Sequence, residues 1–169
     1  MGEPQEGDDA VKKLIREGVE YISAVCVLVG TDTWSRRWVK YEIARSVVDG
    51  RGLLAVHLNG LKHHQRGMPD PLGYNPLRLL GIYESSTGNF YLYERRQVRV
   101  NYLTNQMEWQ WLSYQDYTWP VPLPRYITAP GSGYVMLLSS GAREYDFVAG
   151  NGQENIGVWL DIAAQASGL

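Results

Sequence analysis

Residues 23–61 read SAVCVLVGTDTWSRRWVKYEIARSVVDGRGLLAVHLNGL, and this stretch decides the fold. Residues 24–29 are an unbroken apolar run closed by Gly30, which is typical of a strand buried on both faces. Residues 38–48 carry apolar side chains at helical spacing, and residues 53–58 form a second apolar run. Two buried strands joined by one helix predict a parallel pair with a right-handed crossover.

Glu42 is the single carboxylate in the body of the predicted helix. In open parallel α/β sheets, ligands bind outside the carboxyl ends of the strands, where the following helices begin. Glu42 lies two turns into such a helix, and we therefore expect it to face a ligand crevice. The alternative is a solvated helix glutamate that pairs with Arg45 one turn further on.

Four residues that precede Glu42 are candidates for substrate binding. Ser35, Trp38 and Glu42 are spaced i, i+3 and i+7, which predicts that they share one helix face. Ser35 is a candidate to bond a ribose or diphosphate and Trp38 to wall the pocket; a capping serine and a core tryptophan are the alternatives. Gly30 and Thr31 end the first strand, where backbone amides can meet a phosphate, although a plain tight turn explains them equally well.

The bulk composition disfavours several classes of protein. With 169 residues the chain is most simply one domain, residues 1–169, with its own core. Lys and Arg number 16 against 18 Asp and Glu, so no basic excess attracts a nucleic acid. No apolar run approaches the roughly 20 residues of a membrane span and no signal peptide opens the chain, so we expect no membrane partner and a cytoplasmic location. The single cysteine, Cys26, is expected to be a small buried hydrophobe.

The hydrophobic pattern of the sequence changes at residue 84. Residues 84–143 mix apolar and polar side chains with partial alternation, which predicts an antiparallel β-rich insertion within the single domain. Its aromatic residues predict either a small sheet packed on the core or a platform that stacks adenine or docks a protein trigger. The aromatic residues concerned are Trp109, Trp111, Tyr114, Tyr117 and Trp119.

The remaining elements follow from periodicity and from turn residues. The predicted elements are a helix from Asp8 or Asp9 to Glu20, a loop over 62–76, strands at 90–93, 98–102, 107–112, 134–138 and 145–148, an extended connector at 119–124, and a last helix capped by Asn155.

No strand is predicted ahead of the first helix, because only Met1 and Ala10 are apolar before Val11. The first strand of an ordinary doubly wound domain is therefore missing, and the strand at 24–29 lacks a neighbour on one side. Bare strand edges attract further pairing. We expect a strand from the 84–143 segment, or a strand from another chain, to fill this edge.

Three histidines, His57, His63 and His64, raise the question of a metal site. Nothing around them has the spacing of metal ligands, and an imidazole pair on a loop is usually solvated. We therefore expect no metal.

The block VLVGTDTWSRRWVKYEIARSVVDGRGLLAVHLNGLK contains the pattern Thr-x-Ser-x-x-Trp-Val-x-x-Glu-Ile from Thr33 to Ile43. Gly73-Tyr74-Asn75-Pro76 follows it, and the chain closes with the tail YDFVAGNGQENIGVWLDIAAQA. These segments resemble the TIR-like domains of bacterial Thoeris anti-phage systems, including their Gly-x-Asn-Pro element and their closing strand and helix. The resemblance covers residues 8–76 and 145–166, about half of the chain.

The resemblance implies a flavodoxin-like parallel sheet flanked by helices and cleavage of NAD at its nicotinamide–ribose bond. NAD is then a substrate, and no resident cofactor is expected. The product implied is a cyclic ADP-ribose isomer that activates a downstream effector, and the family's catalytic glutamate maps onto Glu42. One carboxylate suffices for this chemistry because nicotinamide leaves a cationic pyridinium as a neutral molecule, whereas ordinary glycosides need a second carboxyl group as acid.

Two other readings of the sequence are open. A non-catalytic TIR-like module would bind a protein or a nucleotide through the aromatic segment, and release of nicotinamide from NAD discriminates it from the enzyme. A receiver-like domain would need an acidic cluster at the strand ends, which Asp32 alone does not supply. If the first strand is missing, the enzyme is expected to be weak until a second copy or a phage-derived trigger protein completes it.

Overall fold

The computed structural model describes residues 3–62, 65 and 67–169, with side chains from residue 7 onward. Its helices are α1 (Glu3–Glu20), α2 (Arg37–Val48) and α3 (Gly152–Ser167). Its strands are β1 (Ala24–Val29), β2 (Gly52–His57), β3 (Leu80–Glu84), β4 (Phe90–Asn101), β5 (Gln106–Ser113), β6 (Val135–Leu137) and β7 (Arg143–Asp146). Short 3₁₀ turns lie at Thr33–Ser35, Pro76–Arg78 and Leu138–Ser140.

The strands β1, β2 and β7 form a parallel sheet in that order. β1 and β2 pair along their whole length, from Ala24 opposite Gly52 to Val29 opposite His57. Side chains of one face of these strands pack with α2, and those of the other face pack with α3 around Trp159. The predicted strand–helix–strand unit and the parallel sheet flanked by helices are confirmed.

A second, antiparallel sheet has the order β5-β4-β3-β6. It confirms the predicted β-rich insertion, although its first strand, Leu80–Glu84, begins before residue 84. The predicted break between strands at 90–93 and 98–102 is wrong, because Phe90–Asn101 is one strand. The polar stretch that suggested the break includes Glu94, which is buried and pairs with Lys40 at 3.6 Å and with Arg96 at 3.1 Å. The ion pairs offset the desolvation of this carboxylate, so the strand runs on through it.

One hydrophobic core joins the two sheets. It contains apolar residues of β1, β2 and α2 together with residues of β3, β4 and the segment after β5, including Leu80, Ile82, Leu92, Tyr114 and Tyr117. The predicted connector at 119–124 runs over this core without forming a strand of its own, and Val121 makes an isolated bridge to Phe90.

The outer edge of β1 has no strand partner within residues 3–62, 65 and 67–169. The expectation that a strand from 84–143 fills this edge is therefore wrong for the described chain. Strands β3 to β6 pair only with one another, and β7 lies on the far side of β2. The alternative, pairing with another chain, stays a prediction.

The end of the chain differs from its prediction in detail. The last strand is Arg143–Asp146 in place of 145–148, because the Asp146 carboxylate accepts the N–H groups of Val148 and Ala149 and turns the backbone there. α3 then begins at Gly152, so Asn155 does not cap it; its side-chain amide instead donates to the Gly150 carbonyl at 2.9 Å.

Candidate active site

The carboxyl end of β1 is where the candidate substrate-binding residues begin. The backbone N–H of Gly30 donates to Thr33 Oγ1 at 2.9 Å, so this amide already has a partner. The Thr31 hydroxyl donates to the Pro71 carbonyl at 2.9 Å and ties the end of β1 to the loop at 67–75. Gly30 and Thr31 therefore form a braced turn, in agreement with the plain alternative, and Thr31 also lines a cavity described below.

Gly73 packs directly against this turn. It is buried, and a β-carbon built at residue 73 would overlap the carbonyl oxygen of Gly30. Only glycine permits the two backbones to lie this close. This contact fixes the backbone position of the next residue, Tyr74.

Ser35, Trp38 and Glu42 do not share one helix face as predicted. Ser35 belongs to the 3₁₀ turn that precedes α2, and Arg36 between them is extended. The Ser35 hydroxyl donates to the Asp32 carbonyl at 2.9 Å, so it caps neither α2 nor any other helix. The local hydrogen bond of a serine outcompetes the continuation of the helix here.

Trp38 lies in the first turn of α2 and is half-buried against the core. Its ring meets that of Tyr41 edge to face, with centroids 6.1 Å apart, and the Arg37 guanidinium lies 4.7 Å from its centroid. These contacts are those of the core alternative. A role for Trp38 in walling a substrate pocket stays a prediction.

Glu42 lies mid-way along α2 and is exposed. Arg45, its predicted ion-pair partner, instead pairs with Asp49 at 2.5 Å, and within the described side chains Glu42 has no ion pair. The surrounding atoms partly desolvate the carboxyl group and raise its pKa above the ordinary glutamate value. Glu42 is thus a carboxylate without a counter-ion, free to stabilise positive charge on a ligand.

A cavity of about 340 Å³ lies between the end of β1 and the hairpin of β4 and β5. It is lined by Thr31, Trp34, Leu72, Tyr74, Leu79, Arg95 and Trp109. Apart from Thr31, none of these residues was predicted to belong to a site, although Trp109 is one of the aromatic residues for which a stacking platform was one alternative. Tyr114 and Tyr117 of that set are buried in the core.

A polar cluster that was not predicted lies on the core side of the parallel sheet. Buried His57, at the carboxyl end of β2, bonds Glu144 of β7 at 2.5 Å, and Arg78 donates to the same carboxylate at 3.0 Å. Asn75 is also buried; its carbonyl oxygen accepts the N–H of Leu77 at 2.9 Å, and its amide nitrogen faces Glu144 without good hydrogen-bond geometry. Burial would raise the pKa of Glu144, but the contacts with His57, Asn75 and Arg78 outweigh it and lower that pKa.

The described part of the chain offers neither a cluster of metal ligands nor a membrane-spanning helix. Among residues 3–62, 65 and 67–169, no group of three or more potential ligands could hold a metal ion. His57 bonds Glu144, while His63 and His64 lie outside the described residues. The helices of the same residues are all too short or too polar to cross a membrane.

Comparison with known proteins decides the family. A family model described as "Thoeris protein ThsB, TIR-like domain" matches residues 2–63. A protein of Bacillus cereus (strain MSX-D12) named "Putative cyclic ADP-D-ribose synthase ThsB1" is 34% identical over 157 residues, which cover 91% of this chain and 74% of that protein. This chain belongs to the Thoeris ThsB family of TIR-like proteins. The predicted resemblance is confirmed.

The two matches differ in how much of this ThsB-family chain they cover. The family model spans α1, β1, α2 and β2, which carry the candidate residues from Gly30 to Glu42. The similarity to the Bacillus cereus protein extends over 157 residues and so includes most of the antiparallel sheet. The cavity between the two sheets therefore lies within the region of similarity.

Proposed function

We propose that this ThsB-family chain cleaves NAD at the nicotinamide–ribose bond and converts the remainder to a cyclic ADP-ribose-type signal. The observation that carries the proposal is the 34% identity with the Bacillus cereus protein named "Putative cyclic ADP-D-ribose synthase ThsB1". The unpaired carboxylate of Glu42, on the helix that follows a buried parallel strand, supplies the group that such chemistry needs.

The reaction needs little acid–base catalysis from the protein. The bond from the ribose C1′ to the pyridinium nitrogen breaks, and its electron pair stays on the nitrogen, which leaves as neutral nicotinamide. Positive charge develops on the ribose, and the Glu42 carboxylate stabilises it by charge. A nucleophilic atom of the same ADP-ribosyl group then attacks C1′ and loses a proton, which closes the ring; attack by water instead gives linear ADP-ribose.

The raised pKa of Glu42 is compatible with this role, since a carboxylate without a counter-ion is stabilised when a cation forms beside it. Glu42 also accepts hydrogen bonds from the ribose hydroxyls, and these bonds hold C1′ near the carboxylate. Gly30, Thr31, Ser35 and Trp38 stay candidates for binding NAD on the neighbouring surface.

The partners of the reaction belong to the proposal as well. The unpaired edge of β1 supports assembly with a second copy or with a phage-derived trigger protein that completes the site. The cyclic product is proposed to act on a separate effector.

The test is release of nicotinamide from NAD by the purified chain, with products separated by chromatography and identified by mass. Glu42→Gln keeps the shape and removes the charge, and should lower turnover roughly a hundredfold to thousandfold. Glu17→Gln is the matched control, because Glu17 is another exposed helix glutamate, 3.8 Å from Lys13 on α1. Near wild-type turnover of the Glu42→Gln protein would reject the assignment of this residue. No nicotinamide release at any protein concentration, with or without infected-cell extract, would favour the non-catalytic module.

A further inference from the structure

The cavity between the end of β1 and the β4–β5 hairpin has the composition of a nucleotide site. Its volume of about 340 Å³ falls in the roughly 300–1,000 Å³ typical of small-molecule sites. Three aromatic side chains line it, from three separate segments: Trp34, Tyr74 and Trp109. Trp109 and Tyr74 are 43% and 45% exposed, which leaves much of each ring uncovered by the protein.

Arg95 is the cation of this cavity. It lies on the same face of the hairpin as Trp109, because residue 95 is opposite Trp111 and residue 109 is two positions along that strand. Its guanidinium lies 5.7 Å from the Trp109 ring centroid. Within the described side chains Arg95 forms no ion pair, so its donors are available to an anion.

The walls of the cavity are held in place before any ligand binds. The N–H of Arg95 donates to the Leu79 carbonyl at 2.8 Å, which continues the β3–β4 pairing by one residue and fixes the backbone at Arg95. The hydrogen bond from Thr31 to Pro71 and the close approach of Gly73 to Gly30 fix the loop that carries Tyr74. A preformed cavity avoids most of the entropic cost of ordering its side chains around a ligand.

The geometry points to a subsite for an adenine nucleotide, in which the base stacks among Trp34, Tyr74 and Trp109 and Arg95 binds a phosphate. Stacking on aromatic rings suits a planar base, and a guanidinium suits a phosphate. Trp34 belongs to the turn just before α2, the helix that carries Glu42. Glu42 itself is not among the residues that line the cavity. The inference rests on the proposed function for its ligand: the ADP portion of NAD, or the same portion of the product.

Direct binding tests the subsite without turnover. The Glu42→Gln protein is titrated by calorimetry with AMP, ADP-ribose and nicotinamide mononucleotide. We expect AMP and ADP-ribose to bind and nicotinamide mononucleotide, which lacks adenine, to bind at least tenfold more weakly. Equal or tighter binding of nicotinamide mononucleotide, or no binding of either adenine nucleotide, would overturn the inference.

Variants locate the binding on this cavity. Trp109→Ala and Arg95→Gln should each weaken ADP-ribose binding roughly tenfold or more. Trp109→Phe should retain most of the affinity, since it keeps an aromatic face. The matched controls are Trp111→Ala and Arg99→Gln, on the same hairpin face but outside the cavity lining. Thermal melts establish that each variant is folded. Equal loss in the controls, or unchanged affinity in both Trp109→Ala and Arg95→Gln, would place the nucleotide elsewhere.

The outcome for the subsite is separable from the outcome for the enzyme. If the chain binds adenine nucleotides at this cavity but releases no nicotinamide, the subsite stands and the proposed enzyme fails. If nicotinamide is released and the cavity variants bind ADP-ribose as the wild type does, the enzyme stands and the subsite fails. Titration of the wild type with NAD and with cyclised product then distinguishes a substrate site from a product site.

Discussion

The ring of Tyr117 stacks on that of Tyr41, with centroids 5.6 Å apart, and its hydroxyl donates to the Tyr41 hydroxyl at 3.2 Å. Tyr41 precedes Glu42 on α2, whereas Tyr117 lies in the segment beyond β5, which ends at Ser113. The pair therefore fastens the antiparallel insertion to the helix that carries the candidate catalytic carboxylate. Burial, followed by the hydrogen bond with Tyr41, raises the pKa of Tyr117 to about 12, so this contact is neutral at physiological pH.

Substitution of Tyr117 should show that the two sheets unfold as one unit. Tyr117→Phe keeps the stacked ring and should cost about 1 kcal/mol of unfolding free energy, the value of a typical buried hydrogen bond. Tyr117→Ala empties a buried site and should cost about 3–5 kcal/mol. Denaturant melts followed by tryptophan fluorescence and by circular dichroism measure both. Two separate transitions, with only one moved by Tyr117→Ala, would contradict the single domain predicted for residues 1–169.

The ionised Glu42 carboxylate should slightly lower the free energy of unfolding, although it is the proposed catalytic group. Its pKa is raised in the folded state, so the folded protein favours the protonated form, and stability falls as pH rises through the raised pKa. Glu42→Gln removes the charge and should melt at an equal or slightly higher temperature at pH 7. The difference from wild type should vanish below about pH 4, the ordinary glutamate pKa. The effect is small because the side chain is exposed; a Glu42→Gln protein that melts clearly below wild type at pH 7 would argue that the carboxylate is structural.

Gly73 should tolerate no side chain. In Gly73→Ala the new β-carbon meets the Gly30 carbonyl, a backbone atom that cannot rotate away, and overpacking of this kind costs about 1–3 kcal/mol. The displaced Tyr74 should also weaken ADP-ribose binding. Gly157→Ala is the control: this glycine lies in α3 with nothing within 4 Å of its added β-carbon, so alanine should stabilise the helix by about 0.5–1 kcal/mol. Thermal melts of the two variants should shift in opposite directions.

Glu144 should stabilise the fold at neutral pH and lose that contribution in acid. Its pKa is lowered by His57, Asn75 and Arg78 against the opposing effect of burial, so its stabilising contribution is present above the ordinary glutamate pKa and is lost as pH falls through the lowered one. Glu144→Gln leaves buried His57 with a poorer partner and should cost about 1–3 kcal/mol at pH 7. A pH series of urea melts should show the wild-type and variant free energies converging below about pH 4. A constant difference from pH 3 to pH 8 would mean that charge plays no part.

Hydrogen exchange should report the unpaired edge of β1. The Gly52 N–H donates to the Ser23 carbonyl and the Leu58 N–H donates to the Val29 carbonyl. The backbone N–H and C=O groups of the odd-numbered residues of β1 therefore point toward β2. The amides of Cys26 and Leu28 then point away from β2 and should exchange faster than those of Val25 and Val27. NMR exchange on dilute protein measures each amide. Uniformly slow exchange along β1 would show that another strand covers the edge, and its loss on dilution would identify a second copy.

The sequence by itself determined the parallel core and the family. Apolar runs at 24–29 and 53–58 with a helical pattern between them predict a parallel pair, because a helical link between two adjacent strands makes them parallel. The expectation of two buried faces holds for β2 and is wrong for β1, where Leu28 is 50% exposed. The same local order puts Glu42 on the helix after a strand. The resemblance of residues 33–43 to the Thoeris domains added a role for it that spacing alone does not supply.

Only the tertiary structure decided what surrounds that helix. In the sequence, Glu94 looks like a polar break in a strand. In the structure it forms ion pairs with Lys40 of α2 and with Arg96 of its own strand, and the strand continues through it. Ser35 has helical spacing to Glu42, yet its bond to the Asp32 carbonyl ends the turn early. The cavity joins Thr31, Tyr74, Arg95 and Trp109 from segments far apart along the chain, and no periodicity encodes such a meeting. Period and composition specify which face of an element is buried, whereas the partner of that face is fixed by packing between elements.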